Sequence, residues 1–167
     1  MKMKKDDPAR VYSAIIDSIM LSNGPCMSKS WLLTSAVGGE GITTTSLGLA
    51  LALAIRGRSV LLVDANLQRP AVHTHLRMDL EPGLIEFLGN ARPLGEVCRE
   101  ASLSPGKGQL SVLTRGGSGE DPFNLFNPEL VKHFFHEVKS RFDNVIVDAS
   151  DLESSVESLL LAPDVDG

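Results

Sequence analysis

Apolar positions along the chain follow two different periods. From Pro8 to Leu21 they recur at Val11, Ala14, Ile15, Ile19 and Leu21, the spacing of an amphipathic helix that Asn23-Gly24-Pro25 then stops. Three short runs, Trp31-Leu-Leu-Thr34, Ser59-Val-Leu-Leu-Val63 and Asn144-Val-Ile-Val147, are instead apolar without alternation. Such leucine-rich and β-branched runs suit strands buried on both faces, as in a parallel sheet. Between the first two runs, residues 43–56 read as a helix with Gly57 as its C-terminal cap, which completes a βαβ unit. Residues 83–88 and 93–101 are short helix candidates, 109–114 alternates like a strand, and 128–141 is a longer helix opening on Pro128. Alternating strands and helices predict an α/β, doubly wound domain with a mostly parallel sheet and flanking helices, one unit spanning residues 1–167.

Composition narrows the partners. A hydrophobic content of 43% supplies a core, while a net charge of -5 argues against nucleic acid, which is bound through clustered Lys and Arg. Lys2, Lys4 and Lys5 are followed at once by Asp6 and Asp7, so the basic start reads as a solvated terminus and not a membrane anchor. Cys26 and Cys98 suggest neither a disulfide framework nor a zinc site. The apolar run from Leu47 to Ile55 is about half of the roughly 20 residues a membrane-spanning helix needs, and the expected location is cytoplasmic. Glycine and proline across 105–122 mark a surface loop.

Candidate chemistry gathers at three strand ends, where open parallel sheets bind ligands. Ser35-Ala-Val-Gly-Gly-Glu-Gly-Ile-Thr-Thr-Thr45 reads as a phosphate-binding loop, with Gly39, Gly41, Thr43 and Thr44 in place and Ile42 where such a loop carries its lysine. Asp64 and Asp148 follow the second and third apolar runs, and could hold Mg²⁺ through water together with the Thr43 hydroxyl. Each aspartate could instead cap a neighbouring helix. His73 and His75 read as solvated more readily than as metal ligands, and His133 and His136 read as one helix face. Tyr12 has a core or interface role as its simplest account.

These residues, taken in order, resemble the cytoplasmic kinase domain of bacterial tyrosine kinases (BY-kinases) of capsule and exopolysaccharide synthesis, within the wider MinD/ParA group of P-loop ATPases. Thr34-Ser-Ala-Val-Gly-Gly-Glu-Gly-Ile-Thr-Thr-Thr45 is similar to that family's T-S-x-x-P-G-E-G-K-S-T-T loop. Val60-Leu-Leu-Val-Asp-Ala-Asn-Leu-Gln-Arg-Pro70 is similar to its V-L-L-I-D-A-D-L-R-R-P motif, and Glu81-Pro-Gly-Leu84, Leu110-Ser-Val-Leu113 and Arg141-Phe-Asp-Asn-Val-Ile-Val-Asp148 stand where it has such segments. The resemblance implies ATP or ADP with Mg²⁺ as ligands. It implies nucleotide contacts at Gly39, Gly41, Ile42, Thr43, Thr44 and Arg69, and metal contacts at Thr43, Asp64 and Asp148, the two aspartates being catalytic in an active member.

The departures fall on functional positions. Ile42 replaces the loop lysine, Asn66 the second aspartate of D-x-D, Gln68 the following arginine, and Ala149-Ser150-Asp151 the usual T-P-P. Arg10, Ser13 and Ile16 align with an E-x-x-R-x-x-R pattern that the family uses for ring assembly, and its tyrosine-rich tail has no counterpart in these 167 residues. Leu159-Leu-Leu-Ala-Pro-Asp-Val-Asp-Gly167 resembles the segment that precedes a further family strand. The domain is therefore expected to be C-terminally incomplete relative to the family, with Trp31 to Thr34 at an open sheet edge that favours self-association.

Three functions compete. The first is a non-catalytic relative that acts by contact with a membrane-bound polysaccharide chain-length regulator or another assembly protein, peripherally at the inner face of the cell membrane, and binds nucleotide weakly or not at all. The second is an active ATP-dependent protein-tyrosine autokinase or ATPase. The third is a truncated gene product without activity of its own.

Overall fold

A computed structural model of the chain describes residues 8–23, 29–101, 108–117, 124, 126–153 and 156–167. The basic start, the Gly24-Pro25 helix stop, Cys26 and parts of the 105–122 loop lie outside them. Helix α1 (Pro8–Asn23) precedes strand β1 (Lys29–Leu33), helix α2 (Ile42–Ile55) and strand β2 (Ser59–Asp64). Short helices α3 (Val72–Leu76), α4 (Leu84–Leu88) and α5 (Leu94–Val97) lead to strands β3 (Arg99–Ala101) and β4 (Gln109–Leu113). Helix α6 (Pro128–Arg141), strand β5 (Asn144–Asp148), helix α7 (Glu157–Leu161) and a 3-10 turn (Ala162–Asp164) complete the chain.

One five-stranded sheet runs in the order β1-β5-β2-β4-β3. Its first four strands are parallel and β3 is antiparallel at the far edge. Apolar side chains leave both faces of the central strands. Leu61, Val63, Val145 and Val147 pack against Phe87 of α4 and Phe134 and Phe135 of α6, whereas Val60, Leu62, Val112 and Ile146 pack against α2 and Ile16 of α1. Two buried faces explain why these strands read as unbroken apolar runs.

Local chemistry sets the boundaries that the sequence places well. The Asn127 side chain accepts from the Leu130 amide and Pro128 occupies the first turn of α6. Gly57, at φ 85°, turns the chain out of α2 in a conformation that other residues reach only with strain.

Three expectations change. The 93–101 helix candidate stops at Val97, because Cys98 is extended and residues 99–101 pair with β4. Arg99 ties that strand down through its guanidinium, which donates to the Pro82 carbonyl at 2.8 Å and the Thr114 hydroxyl at 2.7 Å. On α1, Val11 and Ile15 are exposed, and it is Tyr12 and Ile16 that turn inward. The Tyr12 ring lies so close to Gly48 of α2 that a Cβ there would stand 2.3 Å from it. Strand β1 starts at Lys29 and ends before Thr34, whose hydroxyl donates to the Ser150 carbonyl at 2.7 Å.

Strand β1 is the outermost strand on its side of the sheet among the described residues, and its outer side is not bare. Asp166 donates its amide to the Ser30 carbonyl and Gly167 accepts from the Leu32 amide, each at 2.9 Å. The Asp166 carboxylate accepts from the Ser30 amide at 2.9 Å and hydroxyl at 3.0 Å, and pairs with Lys139 at 3.3 Å. In these 167 residues a carboxylate and two backbone hydrogen bonds thus line the outer side of β1, and such a charge disfavours strand addition. Asp166→Ala should lower stability by about 1 kcal/mol, the net worth of such partly exposed bonds, and raise concentration-dependent association in sedimentation velocity. A variant that sediments as the unmodified chain does at every concentration would remove this role from Asp166.

Candidate functional site

The loop after β1 reaches α2 through two glycines in left-handed backbone, Gly39 at φ 87° and Gly41 at φ 81°. Gly41 is the N-cap of α2 and offers no side chain to its first-turn amides. Those amides, at the positive end of the helix dipole, are a ready seat for an anion. The loop is held by its own contacts: the Ser35 hydroxyl donates to the Val37 carbonyl at 2.9 Å, and the Leu152 amide donates to the Ser35 carbonyl at 2.9 Å. Beside it lies a cavity of about 270 Å³, walled by the loop, by Asn66, Ala71 and His75 from the segment after β2, and by Ala149 and Asp151 after β5.

Beneath the cavity, Asp64 and Asp148 are register partners at the ends of β2 and β5. Asp64 is fully buried. It accepts from the Asn66 amide at 3.3 Å, the Ala71 amide at 3.1 Å and the Val72 amide at 3.0 Å. The last two bonds hold the start of α3, so Asp64 does serve as a helix cap. Burial, joined by the negative charge of Asp148, nonetheless raises its pKa to about 7 against the three amides. Asp148 accepts from the Ser46 hydroxyl at 3.0 Å through Oδ1, while its buried Oδ2 makes no hydrogen bond among the described residues. Burial raises its pKa as well, opposed by the Thr43 and Ser46 hydroxyls and by His75.

An unsatisfied buried carboxylate oxygen near a hydroxyl is a donor set that fits Mg²⁺, which takes oxygen ligands and keeps several waters. Thr43 and Asp148 would hold the ion, with Asp64 acting through water, since amides occupy both of its oxygens. No cluster of three or more His, Cys, Asp or Glu side chains suited to a metal exists among the described residues.

The remaining candidates separate. Thr43 and the half-buried Ile42 line the cavity with Gly39, Gly41 and Thr44. Arg69 is exposed and is not in the wall; its amide donates to Asn66 Oδ1 at 2.9 Å. No Lys or Arg among the described residues lines the cavity, whereas Glu40 and Asp151 do. His73 bonds its neighbour Thr74 at 3.1 Å, and His75 stands in the wall, a position that sequence spacing did not reveal. His133 stacks on Phe87 with ring centroids 6.5 Å apart, a packing role. Cys98 is half-buried and its pKa is pushed up to about 12 by burial, so it is not a poised nucleophile.

Because the folded Asp64 holds its proton to about pH 7 while an unfolded aspartate loses it near 3.8, folding takes up a proton between those values. Its contribution to stability is full below about pH 4 and is lost as pH rises to 7, by at most about 4 kcal/mol. In EDTA, Asp64→Asn should therefore lose less thermal stability than the unmodified chain between pH 5 and pH 8. Equal losses in the two proteins would refute the raised Asp64 pKa.

Comparison with known proteins agrees with this geometry. The family model for the CobQ/CobB/MinD/ParA nucleotide binding domain matches residues 31–164. Tyrosine-protein kinase YwqD of Bacillus subtilis (strain 168) is 30% identical over 156 residues, covering 93% of this chain and 64% of its own length. Tyrosine-protein kinase CpsD of Streptococcus agalactiae is 28% identical over 157 residues, covering 93% of this chain and 66% of its own. The chain thus spans about two thirds, or slightly less, of these two relatives. The kinase domain of Escherichia coli tyrosine kinase ETK superposes with a TM-score of 0.85 at 25% identity, over 94% of this chain and 60% of that one. MinD of Pyrococcus horikoshii, solved with Mg-ADP, shares the fold at a TM-score of 0.67 and 20% identity, over 84% of this chain and 56% of its own. The chain belongs to the CobQ/CobB/MinD/ParA nucleotide-binding domain family and is a bacterial-tyrosine-kinase-like member of it.

Proposed function

We propose that this domain is a non-catalytic relative of the BY-kinases that acts by protein contact and holds nucleotide weakly or not at all. The observation that carries the reading is the cavity wall: a loop shaped for phosphates, with Ile42 in the lysine position and no Lys or Arg lining the cavity among the described residues. Replacing an ammonium by a hydrocarbon removes a charge-assisted hydrogen bond of about 1.5–3 kcal/mol. Glu40 and Asp151 add negative charge where a di- or triphosphate would bring more. Transition-state charge in phosphoryl transfer is stabilised by metal ions and cations, so the loss falls harder on rate than on binding.

Bound Mg²⁺ would supply charge neutralisation at the phosphates; the chain's own part is to orient them on the amides of Gly39 to Thr44 and to hold Asp148 beneath. The kinship to YwqD and CpsD supports a place in capsule or exopolysaccharide biosynthesis. There the partner would be a membrane-bound chain-length regulator, met from the cytoplasmic side. Among the described residues no helix is long and apolar enough to cross a membrane, which suits attachment through a partner. An active autokinase or ATPase is favoured by one observation only, the persistence of Thr43, Asp64 and Asp148 at the site.

Calorimetric titration with Mg-ADP and Mg-ATP, run on the unmodified chain and on Ile42→Lys, separates the two. The variant should bind at least about tenfold more tightly, the value of one restored charge-assisted bond. Turnover of ATP by the unmodified chain would overturn the non-catalytic reading.

A further inference from the structure

The cavity wall offers one basic side chain among the described residues, and it comes from outside the loop. His75 is exposed on α3 and lines the same cavity as Gly39, Gly41, Ile42 and Thr43. Its place is built. The His75 amide donates to the Ala71 carbonyl at 3.1 Å, and the Ala71 amide in turn donates to Asp64 at 3.1 Å, so the buried carboxylate fixes the turn that carries the imidazole. The other polar side chains of the wall, Thr43 and Thr44 among them, are neutral or acidic. Asn66 Oδ1 accepts from the Arg69 amide, the Ser35 hydroxyl donates to Val37, and Glu40 and Asp151 are acidic.

We propose that His75 meets the outer phosphate of an anion seated on the loop, donating an imidazole N–H from α3 where the loop itself presents Ile42 in the lysine position. The inference rests on the reading that this cavity still admits a phosphate-bearing ligand weakly. An imidazole donates one hydrogen bond where an ammonium offers three, and it has no flexible stem with which to follow a phosphate. Contact from α3 therefore suits retention of a diphosphate better than its transfer.

Titration of the full chain with inorganic pyrophosphate and with Mg-free ADP, followed by calorimetry and by the imidazole resonances in NMR, tests this. The His75 resonances should shift with either probe while those of His133 stay put, and His75→Ala should weaken binding about tenfold or more, the loss of one hydrogen bond to a charged group. His75→Gln, which keeps a donor, should fall between. Unchanged affinity in His75→Ala would overturn the assignment, as would failure of the unmodified chain to bind either probe at millimolar concentration. That second failure leaves the non-catalytic reading standing, whereas ATP turnover would overturn that reading and leave His75 untouched.

Discussion

Two carboxylates side by side at the dry end of a parallel sheet are the constraint from which the rest of this site follows. The register of β2 and β5 sets Asp64 against Asp148, and burial denies both the water that would screen them. Each is answered differently. Asp64 gathers three amides, two of them at the start of α3; Asp148 takes a hydroxyl from the first half of α2 and keeps one oxygen without a hydrogen bond among the described residues. The helices on either side of the cavity are thus oriented by charge that the sheet forces together. Apolar packing on the two faces supplies the bulk of the stabilisation, but it is indifferent to where α3 begins.

Against that background the isoleucine of the loop changes the balance of the whole crevice. A lysine at residue 42 would bring a cation to a crevice with two buried acids and two acids in its wall; without it, amides and hydroxyls answer the floor, and His75 is the one basic side chain in the wall among the described residues. Proton uptake by Asp64 and attraction of a cation are the two remaining ways to relieve the charge. Neither requires nucleotide. On the non-catalytic reading, the fold tolerates a loss that phosphoryl transfer would not.

Much of this architecture was legible in the chain because its cause is local. β2 and β5 show as unbroken apolar runs, and α6 shows through Pro128. Strand β3 was hidden, since three residues become a strand only by pairing with β4, a tertiary event with no local signal. Helix α3 was hidden for a related reason: its first turn is held by a carboxylate seven and eight residues earlier, not by a cap of its own. His75 therefore looked like a solvated neighbour of His73. Arg69 sits in a motif whose backbone turn is kept, its amide on Asn66 Oδ1, while its side chain is exposed outside the cavity wall. On α1 the apolar pattern was real but pointed at the wrong face, because Gly48 admits the Tyr12 ring and rotates the contact toward Ile16.

The loop keeps its shape through contacts of its own, the Ser35 hydroxyl on Val37 and the Leu152 amide on Ser35, with two glycines already turned. In a nucleotide-driven timer the loop and its surroundings must differ between loaded and empty forms, since a ligand transmits only what it binds differently in two states. If, as proposed above, such a ready-made loop has little affinity for what it was shaped to hold, nucleotide gives it no second state to announce. A protein docked beside it would read a constant signal, so that the amount of this domain, and not its nucleotide cycle, would carry the message.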